Sequence, residues 1–533
     1  MQKKLAFIIK LYQDFIRTGD EQSLELDNIR LNAFFDAISD SYIPILQMLE
    51  RLQNEKVACQ LGLVISPVLC SMLENPKIQE LYVLYLDKRI ALGKKELNRC
   101  KDGADSPAYT LIKGIVDKYT ELKKDFNGKY DKNLIKQFAE FQKKGMIEIL
   151  ATCATDIFMP HYADLPEALS AQIEIGLQAY KKSFGEIPDG FFLPEFGYVP
   201  GIENIIRAYG YSYTILHSRS ILFLDNPPKD GIFYPVRTEN ALITFSADLS
   251  FEDFISGEQA YCNASEYRNE NCDIGFELDL KKLSPVLEQN SARFCTGYKY
   301  WKKDFNGDQA ISYNPKDALV RAQKDAQDFV ENRSIYLEKA AGFASNQDYV
   351  VSICCIDDNT MRRQWYEYII WLENVLRKAG NEGLETDVCK NLIRKPFSLE
   401  KISPYYSAGS GDGYGENLLS SRNCWMMRYV RKATERMIDL AERFPSDTGL
   451  KTRLLNIGSV ELLIAQSSAL AKMVDKDNYS EYAERRFRLS INAFTTVFDS
   501  LGSNTVSTEW LTTLESLDTL FPWINYKVFS KKK

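Results

Sequence analysis

The sequence predicts an α/β protein, a parallel sheet or barrel wrapped by helices, followed by an all-helical C-terminal domain. Two observations carry this. Over the first two thirds of the 533 residues, short β-rich runs alternate with longer amphipathic stretches, the pattern of strands joined by helical crossovers. From about Asn417 the strand signals stop and apolar residues recur only at helical spacing.

Taken in order, strands are expected at Leu5–Ile9, Ala58–Ile65, Ile147–Ala151, Gly190–Leu193, Ser212–Leu216, Ala241–Phe245 and Tyr349–Cys354. Between them, Ile78–Leu97, Ala168–Lys182 and Pro315–Arg333 provide the crossovers that parallel strands need. Further on, Met426, Val430, Ala433, Met437 and Leu440 fall on one helix face, and Leu454–Met473 and Tyr482–Leu501 continue in the same manner. The intervening Gly409-Ser-Gly-Asp-Gly-Tyr-Gly415 has no preceding strand and no closing Lys-Ser/Thr. It therefore reads as a flexible loop or linker rather than a phosphate loop.

Composition narrows the chemistry. With 45% hydrophobic and 26% charged residues the chain has the balance of an ordinary globular protein, and its net charge of −7 argues against a nucleic-acid partner. Only two histidines, His161 and His217, are present, too few for a His-based zinc site and poor material for a Ser/His triad. Eleven scattered cysteines without a Cys-x-x-Cys read as buried reduced thiols. The apolar run Leu5–Ile9 ends at Lys10, too short for a signal-peptide core, and no stretch reaches the ~20 apolar residues of a membrane span. The expected setting is cytoplasmic, with no membrane partner.

In folds of this type chemistry collects in the loops that follow the strand C-termini. Glu195 occupies such a place in Gly190-Phe-Phe-Leu-Pro-Glu-Phe-Gly-Tyr198, among rings of Phe192, Phe196 and Tyr198 that would partly desolvate it and suit sugar stacking. Asp357 stands at the equivalent end of Val350–Ile356, ahead of a helical stretch from Met361 to Ala379. Each acid, taken by itself, also fits a helix cap or a loop carboxylate.

Phe192-Leu-Pro-Glu-Phe-Gly-Tyr198 resembles the Trp-Leu-Pro-Glu-Cys-Gly-Tyr motif of glycoside hydrolase family 57. Ser41-Tyr-Ile-Pro-Ile-Leu46, Asp273-Ile-Gly-Phe276, Thr296-Gly-Tyr-Lys-Tyr300, Ala433-Thr-Glu-Arg-Met437 and Ala465-Gln-Ser-Ser468 resemble further landmarks of its 1,4-α-glucan branching enzyme subgroup, in order along the chain. The resemblance implies an α/β fold, an incomplete (β/α)7 barrel with an inserted subdomain over 1–400, a linker over 401–416 and a helical domain over 417–533. It implies Glu195 as nucleophile and, anchored on Trp365-Tyr-Glu367, Asp357 as acid/base. Lys10, Tyr12, Phe192, Tyr198, Gly409 and Gln466 fall at substrate-binding positions, with no cofactor and no metal. The implied reaction is retaining transfer on an α-1,4-glucan such as amylose or a glycogen-like polymer, forming α-1,6 branches as in glycogen biosynthesis.

Several family positions are substituted. Lys10-Leu-Tyr12 stands for His-x-His, Asp156 for a His, Gly409-Ser410 for Trp-Gly, Ala469-Leu470 for Asp-Trp, Arg362-Arg363-Gln364 for Gly-His-Trp, and Ala247 for an Arg. Losing one hydroxyl contact costs ~1–3 kcal/mol, so slow turnover with weak glucan affinity is expected. The alternatives are a catalytically silent glucan-binding or regulatory protein, or a purely structural partner. Strand alternation turns Lys10 and Tyr12 toward Glu195, where Lys10 would lower the acid's pKa. Helices Met426–Leu440 and Leu454–Met473 are expected to cap the cleft.

Overall fold

The computed structural model describes residues 1–18, 24–100, 107–288, 291–306, 309–346, 348–446 and 448–531. Its centre is seven parallel strands: β1 (Gln2–Leu11), β2 (Leu61–Ile65), β3 (Ile147–Leu150), β4 (Gly190–Phe192), β5 (Tyr213–His217), β6 (Ile243–Ala247) and β7 (Tyr349–Asp357). They run in the order β3-β2-β1-β7-β6-β5-β4. The ends of this order meet, because the Ala151 amide donates to the Gly190 carbonyl at 2.9 Å and the Phe192 amide to the Ala151 carbonyl at 2.7 Å. The sheet is thereby curled into a nearly closed barrel with two thin seams, β3–β4, joined by a single bridge from Ala151 to Phe191, and β6–β7, registered through Ile353 and Ala247.

Alternation along β1 divides the core in two. Leu5, Phe7, Ile9 and Leu11 face the surrounding helices, whereas Ala6 and Ile8 face inward and meet Val64, Leu150, Ile215, Phe245 and Ile353 inside the barrel. Lys10 continues the inward series at the C-terminal rim. A polar group can stand there because the barrel interior ends at that level.

Between β2 and β3 lie helices Pro67–Glu74, Pro76–Arg99, Pro107–Lys124 and Leu134–Lys143, and between β6 and β7 lie a two-stranded hairpin and the long helix Pro315–Phe343. Local sequence starts these helices: Asn75, Asn133 and Asn314 accept from the amides of Lys77, Lys136 and Lys316, and proline follows Asn75 and Asn314 at the first helical position. Among the described residues no helix is long and apolar enough to cross a membrane.

The C-terminal region is helical: Cys424–Arg443, Leu450–Ala465, Ser468–Asp475, Ser480–Ser503 and Thr508–Leu517. The single helix expected over Leu454–Met473 is two, broken at Gln466-Ser467. Gln466 accepts from Gln172 at 2.8 Å and donates to Thr434 at 3.0 Å, while the Ser468 amide turns to the Asp156 carbonyl at 2.7 Å. Residues 401–416, expected as a linker, are held against the barrel through Tyr405 amide to Ser220 carbonyl at 2.8 Å and Tyr198 amide to Ser407 carbonyl at 2.9 Å.

Helical region and barrel are joined by buried charge. Arg17, just past β1, donates to Asp518 at 2.8 Å, and Arg486 reaches Asp518 at 3.1 Å and Glu461 at 3.2 Å. Burial and then the adjacent Asp518 push the Glu461 carboxyl well up, whereas Asp518, opposed by burial but favoured by Arg486, is held down to about 2. Removing one partner leaves buried guanidinium without its counter-charge. Asp518→Ala is expected to destabilise the protein by about 3–5 kcal/mol, and Glu140→Ala, which breaks the exposed Lys143–Glu140 pair, by under about 0.5 kcal/mol; urea denaturation midpoints measure both.

Candidate active site

Glu195 follows β4 in a short turn, Pro194–Phe196, and both Glu195 (φ 55°) and Phe196 (φ 49°) adopt left-handed backbone. Such conformations cost about 1–3 kcal/mol each and persist only where the surroundings enforce them. Here the Phe196 amide bonds the Leu193 carbonyl at 3.0 Å, the Gly409 amide bonds the Glu195 carbonyl at 2.6 Å, and the Phe196 ring lies against Phe192 at 5.0 Å and His217 at 6.2 Å. The strained turn aims the Glu195 carboxylate at the mouth of the barrel.

Two ammonium groups meet that carboxylate. Lys10 reaches Oε1 at 3.3 Å and Lys472, from helix Ser468–Asp475, reaches Oε2 at 2.5 Å. Burial alone would raise the pKa of Glu195, but Lys472 and then Lys10 reverse this and hold it down to about 2. Lys10 also pairs with Asp156 at 3.0 Å, whose own pKa is raised by burial in spite of Lys10. In return Asp156, Glu195 and Asp357 outweigh burial and push the Lys10 pKa up. The charge state is thus fixed: Glu195 ionised, Lys10 protonated.

Asp357 ends β7 in register with Lys10 on the neighbouring β1, so the two side chains share a face. Its Oδ1 accepts from the Thr360 amide at 3.0 Å, capping helix Asp358–Gln364. The adjacent Asp358 points the other way, fully buried against Ser41, Tyr368 and Arg362. Lys10, Tyr12, Asp156, Glu195, Asp357 and Lys472 line one cleft of about 260 Å³. Among the described residues no group of His, Cys, Asp and Glu could hold a metal ion.

Of the residues singled out in the sequence, Glu195, Asp357, Lys10 and Tyr12 are brought together here, Tyr12 sharing a hydrogen bond with Ser467 at 2.9 Å. The other four stand elsewhere. Phe192 fills the barrel interior; Tyr198 is buried and donates to Glu203 at 2.9 Å; Gln466 joins helices; Gly409 holds the Glu195 backbone. None of these four lines the cleft, because each already has its surroundings satisfied by protein. Helix Cys424–Arg443, expected as a cap, also lies outside it; the cap is Ser468–Asp475 and the turn after it, which supplies Asn478 and Tyr479. Lys472 was not foreseen, since its only sequence signal is a lysine one turn after Ala465-Gln-Ser-Ser468. His161 and His217 lie edge-on to Phe158 (4.7 Å) and Phe196, and burial lowers both to about 4, so both are neutral props.

Two outcomes follow for variants of this site. A Cβ on Gly409 would come within 2.7 Å of the Phe196 ring and displace the turn, so Gly409→Ala is expected to lower kcat/KM about ten- to a hundredfold with little change in thermal midpoint. Removing the ammonium in Lys472→Met leaves burial less opposed. The acid limb of the pH–rate profile should then rise by about 1–3 pH units, and an unchanged limb would separate Lys472 from the ionisation of Glu195.

Comparison with known proteins agrees with this geometry. Residues 6–252 match the model of glycosyl hydrolase family 57, and residues 429–529 match that of the 1,4-alpha-glucan branching enzyme C-terminal domain. A 1,4-alpha-glucan branching enzyme of Thermococcus kodakarensis is 24% identical over 472 residues, which cover 85% of this chain and 67% of that protein. Among solved structures, an alpha-amylase from Thermotoga maritima superposes with a TM-score of 0.89 at 25% identity, covering 100% of both chains. A family 57-type branching enzyme from Pyrococcus horikoshii does so at 0.84 and 21% identity, covering 100% of this chain and 98% of that one. Barrel and helical region are thus matched in their order along the sequence, the first by the family 57 model and the second by the branching-enzyme C-terminal model, and both structural likenesses run the full length of the fold.

Proposed function

We propose that the protein is a retaining α-glucan-active transferase that forms α-1,6 branches on a 1,4-linked glucan. The observation that carries this reading is Glu195, kept ionised by Lys472 and Lys10 in the cleft that Asp357 enters from the neighbouring rim of the barrel. The branching-enzyme C-terminal match supports the choice of reaction, because that region supplies Lys472 to the nucleophile.

Glu195 attacks the anomeric carbon and forms a glycosyl-enzyme, while Asp357 protonates the departing glycosidic oxygen. Asp357 then takes the proton of an acceptor 6-hydroxyl as that oxygen displaces Glu195. Both oxygens of Glu195 are engaged, so one lysine must yield before attack. Lys472, with 27% of its side chain exposed against 9% for Lys10, is the one free to swing aside. Lys10 stays and holds the spent carboxylate. No cofactor or metal enters these steps.

Hydrolysis is the second reading, favoured by the full-length likeness to an alpha-amylase; it differs only in water replacing the acceptor hydroxyl. The natural substrate on this reading is a glycogen-like polymer. Free cysteines throughout the described residues suit a reducing compartment such as the cytoplasm.

Amylose incubated with the purified protein, then debranched, reports new α-1,6 linkages as released short chains, and reducing-end assay reports hydrolysis. Glu195→Gln and Asp357→Asn are each expected to abolish turnover. Asn caps a helix as well as Asp does, so Asp357→Asn should leave the thermal midpoint nearly unchanged. Wild-type protein and both variants equally inert, yet bound equally to amylose, would replace the enzyme with a silent glucan binder.

A further inference from the structure

The same cleft carries more positive charge than its acids balance. Four cations have carboxylate partners: Lys10 with Asp156 at 3.0 Å, Lys472 with Glu195 at 2.5 Å, Arg30 with Asp14, and Arg362 with Asp358 at 3.6 Å. Arg363 and Lys476, which line the cleft beside them, have no ion-pair partner among the described residues. The Arg363 guanidinium, on the exposed side of the cleft, lies over the Tyr479 ring at 5.8 Å, and partial desolvation and then Arg362 lower its pKa more than Tyr479 and Asp357 raise it. Beside it the half-buried Arg362 has its Nε 3.6 Å from Asp358, close enough for ion pairing but too long for a hydrogen bond. Asp357, the remaining acid of the lining, is engaged as a helix cap.

A neutral sugar asks for donors and acceptors, not for net charge. Guanidinium and ammonium groups left without counter-ions on one wall match a phosphate or carboxylate oxyanion, which they bind through charge-assisted hydrogen bonds. We propose that the cleft takes an α-glucan bearing an oxyanion, a phosphomonoester or a carboxylate, seated on the wall formed by Arg363 and Lys476. This rests on the glucan reading above and adds its substrate class.

Calorimetric titration tests it with four probes at low salt: a neutral maltooligosaccharide, the same chain carrying one 6-phosphate, the same chain carrying one glucuronate, and inorganic phosphate. The charged chains are expected to bind about tenfold tighter than the neutral one, with the advantage fading as salt is raised. The advantage should vanish in the double variant Arg363→Gln, Lys476→Gln and persist in Lys113→Gln, a lysine outside the cleft. Preference for the phosphate or the glucuronate chain assigns the oxyanion. Equal affinity for charged and neutral chains, a preference surviving the double variant, or no binding of either charged chain overturns the proposal. Branching of plain amylose, measured separately, stands or falls on its own, so loss of the anion seat and loss of the glucan reading give different results.

Discussion

Three carboxylates, Asp156, Glu195 and Asp357, converge on one rim of the barrel, and the ammonium of Lys10 is what allows them to do so. It touches two of them at 3.0 and 3.3 Å and is the strand neighbour of the third. Taken away, it would leave buried like charges to be relieved by protonation, and the group most needed as an anion would share in that. The rest of the site is arranged around this point. β1 delivers the lysine because its alternation puts every second residue inside the barrel, the strained turn after β4 delivers Glu195 to it, and the helical region adds a second lysine from above.

Two substitutions that look damaging in the sequence prove to be one arrangement in space. Lys10 and Asp156, which the motif resemblance reads as replacing two histidines, form an ion pair with each other. The pair keeps Lys10 in place beside Glu195, where together with Lys472 it favours the ionised carboxylate.

Much of this was legible beforehand. All seven barrel strands could be read from apolar runs, since a strand buried on both faces leaves a compact signature. The two acids could be placed because each follows such a run directly. What could not be read were contacts between distant segments. Gly409 carries no sign that its amide would close on the Glu195 carbonyl, Gln466 none that it would bridge Gln172 and Thr434, and Lys472 lies on a helix whose apolar pattern reports its buried face and is silent about its exposed one. Tyr198 misled for a related reason: an aromatic residue beside an acid suggests a sugar platform, but its hydroxyl was already committed to Glu203.

The pairing of β1 with β7 sets a timetable for the newborn chain. Residues 2–10 find their partners at 349–357, and Arg17 finds Asp518, close to the far end of the sequence. About 340 residues separate the two strands, so at roughly 5–20 residues per second the first strand waits roughly 20–70 s on the ribosome for its partner. During that interval one edge of an apolar segment, Leu5 to Leu11, has no permanent neighbour, and pairing with β2 covers only the other. Such an edge invites non-native partners, and a holding chaperone at the N-terminal segment would act in this window, before the barrel can close.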